Sequence, residues 1–108
     1  MSLLNAIQSG EGKNIEFKEE LPGSQAIAKT VIAFSNTAGG KLIIGVTDQG
    51  NVTGLKSDVD IFELQDQVAS AIYDNCYPNI LPDIYTTTID NKVLLVIEVY
   101  RGNQSSPK

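Results

Sequence analysis

The chain has 108 residues, 42% apolar and 19% charged, with one cysteine, no histidine and a net charge of −5. This length suits one domain around one core, and the lone Cys76 excludes an intramolecular disulfide, which makes a reducing cytoplasm the expected compartment. The lack of histidine excludes Ser-His-Asp and Cys-His catalysis and histidine-ligated zinc, leaving only a hard ion on oxygen ligands as a candidate metal.

Residues 2–9 read as a short helix stopped by Gly10 and Gly12. From Asn14 to Lys18 apolar and polar residues alternate, with Ile15 and Phe17 on one face and Glu16 and Lys18 on the other, as in a half-buried strand. Pro22-Gly23 marks a turn, and Ser24 is placed to cap the helix after it. In that helix Ile27, Val31, Phe34 and Ala38 form one apolar stripe. Paired glycines, Gly39 and Gly40, end the helix, and Lys41–Val46 reads as a strand buried on both faces. Asp48 to Asn51 is a turn into a short strand at Val52–Gly54.

A second long helix is expected from about Asp58 to Asn75, opened by a capping box at Ser57-x-x-Asp60. Ile61, Leu64, Val68 and Ile72 form its buried stripe. Pro78 and Pro82 bracket a loop. Residues 83–89 and 92–99 form a hairpin through Asp90-Asn91, a pair that tolerates left-handed backbone, and Val93–Val99 belongs at the centre of the sheet. These elements describe a single α/β (α+β) domain, with a mixed β-sheet of about five to six strands packed with two long helices. No apolar run approaches the ~20 residues needed to cross a bilayer, and the start of the chain lacks the pattern of a signal peptide.

Charge is unevenly spread. Residues 1–56 carry five lysines against five acids, whereas residues 57–108 carry three basic groups against eight acids. A polyanion would therefore bind the first half, where Lys13, Lys18, Lys29 and Lys41 lie, with Asn36, Thr37 and the backbone amides near Gly39 and Gly40 beside them. Each of these also has a plainer role. Asn36 and Thr37 stand where the helix ends, the glycines suit left-handed backbone, and Glu16 with Lys18 suits a solvated strand face. Asp48 occupies a turn position that favours Asp for local backbone bonding. Tyr73, Tyr77 and Tyr85 could stack on bases, though they also suit the rim of a core. Gly40-Lys41-Leu42-Ile43-Ile44-Gly45 has the glycine spacing of a P-loop, but Val46-Thr47 replaces the required lysine and hydroxyl, and the glycines precede the strand instead of following it.

Four blocks coincide in register: Glu11, Glu16-Phe17-Lys18, the helix end Ala33-Phe34-Ser35-Asn36-Thr37-Ala38-Gly39-Gly40, and Leu42-Ile43-Ile44-Gly45-Val46-Thr47-Asp48-Gln49-Gly50-Asn51-Val52-Thr53-Gly54. Together with the later Val93–Val99 strand and Pro107, they make the chain resemble the Schlafen AlbA-type domain over nearly its whole length. The resemblance implies an AlbA-like fold. It also implies a domain of a longer protein, because the family usually continues past the proline into a further strand.

In bacteria such domains are attached to ATPase-like or winged-helix regions of transcriptional regulators, so the resemblance implies nucleic acid, DNA or RNA, as partner. Some members are metal-dependent ribonucleases with a three-acid site, which by motif position corresponds to Glu11, Glu16 and Asp48, and the metal would be magnesium or manganese. Nucleic-acid binding ranks first. An interaction or homodimerisation module ranks second, favoured by the acidic second half, and the ribonuclease ranks third.

Overall fold

A computed structural model describes residues 3–12, 14–76 and 80–102. Seven elements follow one another: α1 (Leu3–Ser9), β1 (Ile15–Lys18), α2 (Ser24–Ser35), β2 (Gly40–Ile44), α3 (Ile61–Asn75), β3 (Asp83–Ile89) and β4 (Lys92–Val99). The four strands form one mixed sheet in the order β1-β2-β4-β3. β1 and β2 run parallel, as the crossover through α2 requires, and the remaining pairs are antiparallel.

The sheet has four strands among the described residues, not five or six; the short helix expected at residues 2–9 has 7 residues, and the two helices expected to be long are shorter than read, at 12 and 15 residues. The stretch at Val52–Gly54 makes a single bridge, Val46 to Val52, instead of a strand. Positive φ at Gly45 and Gly54 turns both segments out of the pleat. α3 begins at Ile61, with Asp60 as its cap accepting the Glu63 N–H at 3.2 Å, so the box lies three residues later than Ser57 suggests. Gly23, not Ser24, occupies the cap position of α2, and no side chain caps that end. Ala38 lies beyond α2 and is exposed.

The two sheet faces are covered unequally. α2 and α3 pack together over one face, where Ile27, Val31, Phe34, Val68 and Ile72 meet Leu42, Ile44, Leu95, Ile97 and Val99. On the opposite face a smaller cluster gathers Ile7 of α1, Phe17, Ile43, Val46 and Leu94. Burying Phe17 completely is worth roughly 1.5–3 kcal/mol, which explains why a strand as short as β1 holds its place. β4 lies between β2 and β3, as its nearly continuous apolar run demands. Asp90 and Asn91 take φ of 54° and 65° and close the hairpin in two residues. Cys76 is free and buried at the end of α3, and burial pushes its thiol pKa up. No helix among the described residues is long and apolar enough to cross a membrane.

Candidate nucleic-acid interface

α2 buries Ile27, Ala28, Val31 and Phe34 and leaves its opposite side open. At 100° per residue, Gln25, Lys29, Ile32 and Asn36 fall on one exposed stripe of that open side, with Thr37 just beyond the helix end. No Asp or Glu occurs anywhere from Leu21 to Thr47. In a chain of net charge −5, the stripe itself carries no carboxylate, one lysine and three amide or hydroxyl side chains. Three of the sequence-derived contacts, Lys29, Asn36 and Thr37, therefore share a surface.

The helix end explains the residues beside them. The Asn36 N–H donates to the Ile32 carbonyl at 3.0 Å, and the Thr37 and Gly39 N–H groups donate to the Phe34 carbonyl at 3.1 and 2.9 Å. The Thr37 hydroxyl lies within reach of the Ala33 and Phe34 carbonyls. Gly39 has φ of +89°, and a Cβ there would stand 2.6 Å from the Val99 carbonyl oxygen. At Gly40 a Cβ would stand 2.6 Å from the Phe34 ring and 2.7 Å from the Asn14 carbonyl oxygen. The Lys41 N–H donates to the Asn14 carbonyl at 2.9 Å. The glycines serve close packing, and the Gly39 and Lys41 amides that flank them are committed within the fold. Asn14, which the sequence marks only as a strand start, ties this corner together by donating its side-chain amide to the Gly39 carbonyl at 2.7 Å.

The other lysines scatter. Lys18 is paired in register with Ile44, and Lys41 with Ile15, so the two side chains lie on opposite faces of the sheet. Lys18 reaches Glu16 at 3.6 Å, and Lys41 reaches Glu98 at 3.4 Å. Lys13 lies outside the described residues.

The three acids are placed differently from one another. The Glu11 carboxylate accepts the Phe17 N–H at 2.8 Å, bent back by a bridge between Gly12 and Ile15. Glu16 points to the α2 side of the sheet beside Lys18, because its register partner is Leu42. Asp48 is exposed in the turn held by the Thr47 and Asn51 backbones. Among the described residues, no group of three acids or thiols stands close enough to hold a metal ion. Glu11, Glu16 and Asp48 are therefore not gathered into such a group.

A further polar cluster lies on the α1 side of the sheet. The Tyr85 hydroxyl donates to Glu98 at 3.0 Å, and the Tyr100 hydroxyl donates to Asp83. Partial burial and the Glu98 hydrogen bond push the Tyr85 pKa up to about 12. The bond to Asp83, ahead of burial, does the same for Tyr100.

A family model described as Schlafen, AlbA_2 matches residues 11–108. The chain belongs to the Schlafen AlbA_2 family. Among solved structures, this AlbA_2 domain is similar to the N-terminal domain of an ATP-dependent DNA helicase RecG-related protein from Nitrosomonas europaea. The two share 25% identity at a TM-score of 0.71, over 96% of this chain and 74% of that one. It also shares its fold with the DIP2311 protein from Corynebacterium diphtheriae, at 22% identity and a TM-score of 0.57. That match covers 93% of this chain and 25% of the other, so the AlbA_2 domain spans a quarter of that relative's length.

Proposed function

We propose that this AlbA_2 domain binds nucleic acid as part of a bacterial transcriptional regulator, and that it approaches the phosphate backbone with the outer face of α2. The observation that carries this reading is the carboxylate-free stripe of Gln25, Lys29, Asn36 and Thr37 on an otherwise acidic chain. A polyanion is repelled by net negative charge and settles where the local potential is least unfavourable. Polar side chains on an exposed helix can then donate to phosphate oxygens. Family membership, and likeness to a domain of a protein named for a DNA helicase, support the same class of partner.

With one lysine on the stripe, binding by the isolated domain is weak and strongly salt-dependent. Amide shift mapping tests this: titration with a short duplex DNA and with single-stranded RNA should move the Gln25, Lys29, Asn36 and Thr37 signals first. Shifts centred instead on β3 and β4, or no shifts at low salt, would overturn it.

A further inference from the structure

The two edges of the sheet differ. β1 is four residues long, and the Phe17 N–H on its outer side is satisfied by Glu11. β3 is seven residues long and, among the described residues, pairs only with β4. Leu55 donates to the Val93 carbonyl, so Val93, Leu95, Ile97 and Val99 turn their backbone groups toward β2, and the alternate residues of β4 turn theirs toward β3. By the same alternation, Ile84, Thr86 and Thr88 direct three N–H and three C=O groups outward from β3. From Ile84 to Ile89 no proline, charge or bulge blunts this edge, although such devices are how exposed edges are ordinarily protected.

An apolar pocket of about 390 Å³ adjoins the edge, lined by Ala69, Tyr73, Ile80, Leu81 and Ile84 among others. Tyr73 and Leu81 are 68% and 73% exposed, unusual for side chains of their size. The stretch that carries the edge and the pocket is acidic: between Ser57 and Asn91 there are seven acids and no lysine or arginine, and Lys92 follows directly, opposite Ile89. Asp74 lines the pocket itself, and Asp83 and Asp90 bracket β3.

We infer that β3 accepts an extended, basic peptide segment as a fifth strand. Its backbone pairs with Ile84, Thr86 and Thr88, an apolar side chain enters the Tyr73–Leu81 pocket, and its alternate lysines or arginines, on the other face, lie toward Asp83 and the Asp90 turn. Strand addition of this kind draws affinity from main-chain bonds and specificity from pockets for alternate side chains. A second copy of this chain fits the edge less well, because antiparallel self-pairing through β3 brings Asp83 and Asp90 of one copy toward those of the other, and β3 itself carries no lysine or arginine to offset them.

The test uses three seven-residue peptides with blocked ends: one alternating lysine and valine, one of the same composition with lysines and valines in two blocks, and one alternating glutamate and valine. The expected result is that the alternating basic peptide moves the Ile84, Thr86, Thr88, Tyr73 and Leu81 signals and binds at least tenfold more tightly than either control. Thr86→Pro removes an outward N–H without touching the β4 ladder, and should weaken that peptide about tenfold. Leu81→Ser, at an exposed position, should weaken it severalfold and serves as the second probe should the proline variant misfold. Equal binding of the block peptide would reduce the effect to charge and overturn the inference. So would shifts on another face, or concentration-dependent dimerisation of the protein alone that Thr86→Pro abolishes.

Discussion

The Glu11 carboxylate holds the backbone N–H of Phe17 at 2.8 Å, on the outer edge of the shortest strand in the sheet. A charged acceptor on an amide that would otherwise face water without a partner strand explains why an acid stands five residues before Glu16. Glu11→Ala should destabilise the domain by about 1–2 kcal/mol in urea melts, while Glu11→Gln, which keeps an acceptor, should cost less than half of that. Equal losses in the two variants would show that the hydrogen bond does not hold the edge.

Gly40 abuts both the Phe34 ring and the Asn14 carbonyl, at distances that no Cβ tolerates. Gly40→Ala should therefore cost about 2–3 kcal/mol, the range of a severe overpacking defect, and Gly39→Ala a similar amount through its positive φ and the Val99 carbonyl. Thermal unfolding reads both. An alanine variant as stable as the parent but unable to bind nucleic acid would reassign the glycines to the ligand.

The two tyrosine–carboxylate pairs couple stability to alkaline pH. Tyr85 and Tyr100 have folded pKa values pushed up to about 12, above the ordinary phenol value of 10. Their hydroxyls must stay protonated to donate, so the stabilisation is complete below about pH 10 and is lost as pH rises toward 12. Absorbance titration should show two late phenol transitions, one removed by Tyr85→Phe and one by Tyr100→Phe. If no phenol of the parent titrates later than the ordinary value, these bonds do not form in solution.

At the hairpin, Asn91 sits at φ of 65°, the second position of a two-residue turn that favours glycine. Asn91→Gly should leave stability unchanged or raise it by a few tenths of a kcal/mol, whereas Asn91→Val should lower it by about 1–2 kcal/mol. Denaturant midpoints decide this, and a tolerated valine would contradict the turn geometry.

Much of the fold is legible in the residues. The β3–β4 hairpin falls at 83–89 and 92–99, as read, because its alternation and its Asp-Asn turn both act locally. Helix starts are displaced, since Gly23 and Asp60 take the cap positions and the nearby serines do not. The Val52 segment looks like a strand by composition, but the positive φ at Gly45 and Gly54 depends on packing against Leu94 and Lys92, which spacing cannot show. The site was less legible. Lys18 and Lys41 look like one basic patch in the sequence, and only the β1–β2 register sends them to opposite faces. Asn14 gives no signal, because its role depends on a contact with Gly39, 25 residues away.

The most direct test of nucleic-acid binding through α2 is fluorescence anisotropy of labelled duplex DNA and single-stranded RNA at several salt concentrations, comparing the parent domain with Lys29→Glu and Lys92→Glu. The two variants carry the same net charge, but Lys29 lies on the α2 stripe and Lys92 on the distant hairpin. The account predicts salt-sensitive binding that Lys29→Glu weakens at least fivefold, with a salt slope smaller by about 1, while Lys92→Glu changes it less than twofold. Equal effects of the two substitutions, or no binding at low salt, would contradict it.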